Sequence, residues 1–175
     1  MNLQPLCTSV HVSVYFDTAN NWLFIDWHGD LTLAKVQLAC LELAHCYLSH
    51  SYPRVLNSNA QVLSITPDVS DWLVSTFMPA LDMAGVQQMA WVFPPQLRDR
   101  NSVLDTFTRF PHMAISLFDD VEDAVSWLQH TTPVCQKSDY VTFSHEERVR
   151  DFFHLLAQHL DAEMLRAVPL APTLA

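Results

Sequence analysis

The chain has 175 residues, half of them hydrophobic, with ten Phe and five Trp, enough apolar material for one domain of ordinary size. Acids outnumber Lys plus Arg by 19 to 9, a formal charge of −10, which speaks against nucleic acid and against an anionic membrane surface, since both select clustered cations. Four cysteines without a CxxC spacing read as free, mostly buried thiols, and neither a basic leader nor an apolar run near ~18 residues is visible, so the expected setting is cytoplasmic, without membrane insertion.

Residues 9–16 alternate, with Val10, Val12, Val14 and Phe16 on one side. A polar cluster at 17–21 leads into residues 22–27, so the two runs read as a β-hairpin. The second run is apolar on both faces until Asp26, the pattern of an inner strand, and Gly29 ends it. Residues 33–48 keep helical spacing in two stripes, one of Leu33, Val36, Cys40, Leu43 and Tyr47, the other of Ala34, Leu38, Leu41 and Leu48. An apolar surface that wide is usually covered twice, by a sheet and by something else. Pro53 stops the run, and residues 54–58 read as a short inner strand.

A second helix is expected over 69–84, with Asp68 as its N-cap, Asp71 at N3 and Gly85 in the left-handed position that ends it. Pro79 lacks a backbone donor and predicts a kink. A strand over 88–93, ended by Pro94-Pro95, a short helix over 101–110, a strand over 113–118 and a helix carrying Val121, Ala124, Val125 and Leu128 complete the order ββαβαβαβα. That order is an α/β fold: a mixed sheet of four to five strands, with an N-terminal antiparallel hairpin, parallel crossovers and packed helices. The domain is expected to span 1–130, followed by a linker at 131–143. Ser144-His145-Glu146-Glu147 then forms a capping box, which opens a C-terminal amphipathic helix within 144–167. Phe152, Phe153, Leu156 and Leu160 share its apolar stripe and are the candidate interaction residues, docked either on the domain or on a partner.

Chemistry-bearing patterns are few. His45 and His50 are five apart, as are His154 and His159, a spacing that turns ligands away from one another on a helix. Glu42 with His45 and Asp151 with His154 lack the further glutamates of a di-iron bundle, so neither metal nor cofactor is expected. Two glycines cannot build a phosphate-binding loop or a nucleophile elbow. Topology offers a better candidate, because ligands favour the carboxyl ends of parallel strands. That rule selects Asn57, Ser58 and Asn59 after the central strand, with Trp72 of the next helix as a flat apolar wall. The same asparagines also suit a turn, and the same tryptophan suits a core.

Five segments together carry a family resemblance: Trp27-His28-Gly29 ending the hairpin, Leu56-Asn57 ending a strand, the Trp72 to Pro79 helix, Ala84-Gly85 leading to Ala90-Trp91-Val92, and Phe118, Asp120, Ala124, Trp127 and Leu128 at the close. In order and spacing they resemble the STAS-like family, the fold of bacterial anti-sigma-factor antagonists, and within it a group of small bacterial proteins. The resemblance covers about residues 10–130. In the antagonists a serine of an Asp-Ser-Ser-Gly type motif is phosphorylated; here residues 61–71 carry Ser64, Thr66 and Ser70 without that motif, and hydroxyls near a helix start also serve as caps. The resemblance, with no catalytic motif beside it, implies a non-catalytic STAS-like protein-interaction or regulatory module. The doubly apolar 33–48 helix, with the extra Phe152-Phe153 helix suited to embrace a second copy, adds the expectation of a homodimer. The alternative is a carrier of a small molecule or lipid, holding a small apolar ligand between sheet and helices.

Overall fold

The structure, a computed structural model, describes residues 1–93, 113–132 and 144–158. The expected hairpin is present as β2 (Val12–Asp17) and β3 (Trp22–Leu31), antiparallel, with Val14 opposite Ile25. Its turn is fixed by Asp17. That buried carboxylate accepts the amides of Asn2 at 2.9 Å and Ala19 at 3.1 Å and the side-chain amide of Asn20 at 2.7 Å. Asn21 takes the positive φ (57°) that the turn requires.

One expectation fails at the start of β2. Val10 is 79% exposed, not the first residue of a buried row. It sits in a bend between β2 and an additional strand, β1 (Leu3–Thr8), which pairs antiparallel with β2. Among the described residues the sheet therefore has six strands rather than four to five. β1 escapes pattern reading because all of it but the half-buried Cys7 is exposed and it carries no alternation. It is an edge strand, the place where Pro5 and the register shift between Pro5 and Cys7 are tolerated.

Helix α1 (Leu33–Ser49) buries Val36, Cys40, Leu43 and Tyr47 from one stripe and Leu41 from the other. It leads to β4 (Arg54–Ile65), twelve residues against the five expected. β4 lies parallel to β3 and to β5 (Gln88–Val92), but it pairs with β5 only through Ser58–Val92. Its second half continues alongside β3 alone among the described residues. There the register slips twice, between Asp26 and His28 and between Gly29 and Asp30, each time leaving an extra residue on β4. Gly29 takes φ +78° in this stretch, and its nearest neighbour to a would-be Cβ is 3.9 Å away, so backbone conformation rather than space selects glycine.

The second expected helix is three segments: α2 (Pro67–Trp72), a π-helical turn (Leu73–Phe77) and α3 (Met78–Ala84). Thr66, not Asp68, is the N-cap residue, because Pro67 at the first helical position pre-sets φ and needs no N–H. The Met78 N–H donates to the Leu73 carbonyl, five residues back. The disturbance expected at Pro79 thus takes the form of a π turn just before it, shifting the ladder at the point where Pro79 offers no donor. Gly85 ends the helix at φ +93°, as expected.

β6 (Ala114–Phe118) adds parallel to β5, and α4 (Val121–His130) is capped by Asp120, which accepts the Asp123 amide at 2.8 Å. The expected helix at 101–110 and the linker residues 133–143 lie outside the described residues. The last element, α5 (His145–Ala157), opens with the complete Ser144/Glu147 capping box.

The result is a six-stranded mixed sheet in simple sequential order, β1-β2-β3-β4-β5-β6, flanked by helices. Alternation along the strands divides the core. Val14, Ile25, Trp27, Val55 and Met89 meet α1, α2, α3 and α5 on one face; Trp22, Phe24, Leu56, Ala90 and Val92 meet Ala124 and Leu128 of α4 on the other. Arg54 ties α4 to the second face. Its guanidinium lies 5.1 Å from the Trp22 ring centroid, donates to the Asn20 carbonyl at 3.1 Å, and donates to the Leu128 carbonyl in the last turn of α4.

A buried asparagine pair in the central strand

Asn57 sits in the middle of β4, opposite Ile25 on one side and Trp91 on the other. A carboxamide in that position is costly unless its hydrogen bonds are made. The Trp27 indole N–H donates to Asn57 Oδ1 at 2.9 Å, and Asn57 Nδ2 donates to Asn59 Oδ1 at 3.5 Å. Asn57 and Asn59 share a face because side chains alternate along a strand. Both are buried, and both line a cavity of about 30 Å³ beneath α2, the π turn and α3. Trp27, Phe77, Met78, Met89 and Trp91 supply much of its wall, and the two asparagines are its only polar lining residues among those described. Such a space holds one or two waters at about 10–15 Å³ each. Carboxamides donate and accept without charge, so the arrangement suits a small neutral group and supplies neither nucleophile nor general base.

Of the four residues picked from the sequence, the structure brings Asn57 and Asn59 together at the cavity. They lie within β4 rather than after it. Ser58 points to the opposite face, as its place between them requires. Its hydroxyl accepts the Ala60 amide at 3.3 Å and hydrogen-bonds to Asp26. Trp72 is buried outside the cavity lining, stacked on Phe77 with centroids 6.1 Å apart. Trp27 and Trp91 were missed as partners. The signal was present, since Trp27 is two residues from Ile25 and so shares the face of Asn57, but it needed the β3–β4 register to be read.

The opposite face of the β3–β4 extension carries a polar ladder. Gln61 donates to Asp26 at 3.0 Å and Ser64 to Asp30 at 2.6 Å. Burial raises the Asp26 carboxyl above its usual range, an effect that Ser58, His28 and Gln61 only partly offset. The thiols are raised too: burial pushes Cys40 well up, burial and then Glu42 push Cys7 to about 11, and burial followed by Cys7 and Glu42 pushes Cys46 to about 12. Among the described residues no group of three or more His, Cys, Asp or Glu side chains is placed to hold a metal ion, and no helix is long and apolar enough to cross a membrane.

No protein-family model and no curated protein matches the sequence. Solved structures do resemble the chain, two of them as follows. One is an uncharacterised protein of the DUF3478 family with a SpoIIAA-like fold from Shewanella loihica PV-4, at TM-score 0.48 and 15% identity, covering 70% of this chain and 98% of that one. The other is the anti-sigma factor antagonist SpoIIAA in its unphosphorylated form, at TM-score 0.45 and 9% identity, covering 74% and 99%.

The C-terminal stripe docks on its own domain. Phe152 and Leu156 are fully buried; the Phe152 ring meets Tyr47 of α1 at 6.0 Å and Phe77 of the π turn at 6.3 Å. Phe153 is half-buried, edge-on to His45 at 5.1 Å. Leu160 lies outside the described residues. The second covering expected for α1 is therefore α5, and among the described residues the exposed large apolar side chains lie elsewhere: Val10, Leu63 at 68%, and to a lesser extent Leu3, Leu6 and Met1.

Proposed function

We propose that the chain is a non-catalytic interaction module of the regulatory, STAS-like kind, and that it self-associates. The observation that carries this reading is Leu63. It is the extra residue at the second register slip of β4, between Val62 opposite Gly29 and Ser64 opposite Asp30, and it points into solvent. A leucine held out on the part of β4 that has run past its pairing with β5 is an apolar contact offered at a strand edge. Val10 belongs to the same end of the sheet, since its neighbour His11 accepts the His28 amide at 3.1 Å and His28 is opposite Gln61. The acids and hydroxyls of this end, Asp26, Asp30, Ser58 and Ser64, hydrogen-bond within the chain, which supports binding over catalysis.

A second reading, carriage of a small apolar ligand, is favoured by the cavity, whose lining is apolar apart from Asn57 and Asn59. Native mass spectrometry of untagged protein separates the two. A dimer that Leu63→Asp converts to monomer is the expected result. A monomer of bare polypeptide mass at every concentration sinks self-association, and a retained small extra mass gives the ligand reading precedence.

A further inference from the structure

Two thiols from different elements meet one residue, Glu42, the first at its carboxylate and the second at its main-chain carbonyl. Cys7 Sγ, on edge strand β1, donates to Glu42 Oε2 of α1 at 3.7 Å. Cys46, one helical turn beyond, donates to the Glu42 main-chain carbonyl at 3.7 Å. Both sulfurs stand at the rim of the main core and both residues are half-buried, whereas Cys40 is sealed inside. The two also feel one another: after burial, the largest influence opposing ionisation of Cys46 is Cys7.

We propose that Cys7 and Cys46 are a redox-closable pair, which exchange with a small-molecule disulfide joins into an intramolecular bridge that staples β1 to α1. One protein thiol loses its proton, attacks a sulfur of the small disulfide and expels one small thiolate, leaving a mixed disulfide. The other protein thiol, deprotonated in turn, attacks the protein sulfur of that mixed disulfide and expels the second small thiolate. The two protons end on the two expelled thiolates. Two electrons leave the protein and reduce one disulfide to two thiols. Because the thiolate is the attacking form and both thiols sit well above neutrality, closure is slow at pH 7. Its rate rises about tenfold per pH unit until the pH approaches the value of about 11 to which Cys7 is raised.

The test is incubation of the full chain with oxidised glutathione at alkaline pH, followed by digestion and mass mapping without reductant. The expected product is a Cys7–Cys46 crosslinked peptide beside unmodified Cys40, reversed by dithiothreitol. Cys46→Ser is expected to stop at a glutathione adduct on Cys7, and Cys7→Ser, a change on an edge strand, to form no bridge at Cys46. Adducts without a crosslink in the unsubstituted chain, no reaction at all, or a bridge from either thiol to Cys135 instead, overturns the proposal without recourse to any variant.

Discussion

At the scale of the residue, Asn57 decides the character of the central strand. Removing its side chain strands the Trp27 indole N–H in an apolar cavity, and an orphaned buried donor costs about 1–3 kcal/mol. Asn57→Ala is therefore expected to lower the urea midpoint by that free energy with an unchanged slope; an asparagine that only shaped a turn would give a change near zero. The pair Asn57 and Asn59 was legible in the sequence from its place at the carboxyl end of a parallel strand. Their burial was not. Beyond Ser58 the residues Ala60, Gln61, Leu63 and Ser64 are exposed and two bulges break the period, so β4 carries no alternation from which its true length could be read.

At the scale of the element, α5 is held by Phe152 and Leu156 between α1 and α3. Phe152→Ala is expected to cost about 3–5 kcal/mol, the range for a large aromatic removed from a packed core. Equilibrium unfolding at two protein concentrations far apart checks it. The loss should be the same at both, because the contacts are within one chain; a concentration-dependent loss would place the phenylalanine in an interface instead. The stripe, the capping box and the width of the apolar face of α1 were all legible, since each is a local pattern. What α5 packs against was not, because docking depends on a long-range contact that spacing does not encode. Pro79 shows the same division: its missing donor was readable, but whether the helix answers by bending or by a π turn depends on Leu73, Phe77 and Met78 fitting over the cavity.

At the scale of the whole molecule, the charge balance makes acid the natural perturbant. Burial pushes Asp17 upward, but the amides of Asn2, Asn20 and Ala19, together with the chain's amino terminus, outweigh it and hold the carboxyl below its usual range. A depressed carboxyl contributes stability that is present above the ordinary value of about 3.9 and is lost as pH falls through the folded value. Asp26, raised, acts in the opposite sense: its contribution is present below the ordinary value and is lost as pH rises through the folded one. Asp17→Asn is expected to flatten the loss of stability below about pH 4, relative to the parent, in an acid series of denaturation curves. A parallel slope in the two proteins would remove Asp17 from the account.

The strictly sequential order of the strands bears on how the chain is made. During synthesis each strand emerges to find its neighbour already in place, so the sheet can grow by accretion from the amino-terminal side without waiting for a distant partner. Helix α5 is the exception. Tyr47 and Phe77 stand ready long before Phe152 arrives to cover them, and a nascent chain stalled before residue 152 would display that aromatic face to any chaperone at the ribosome exit.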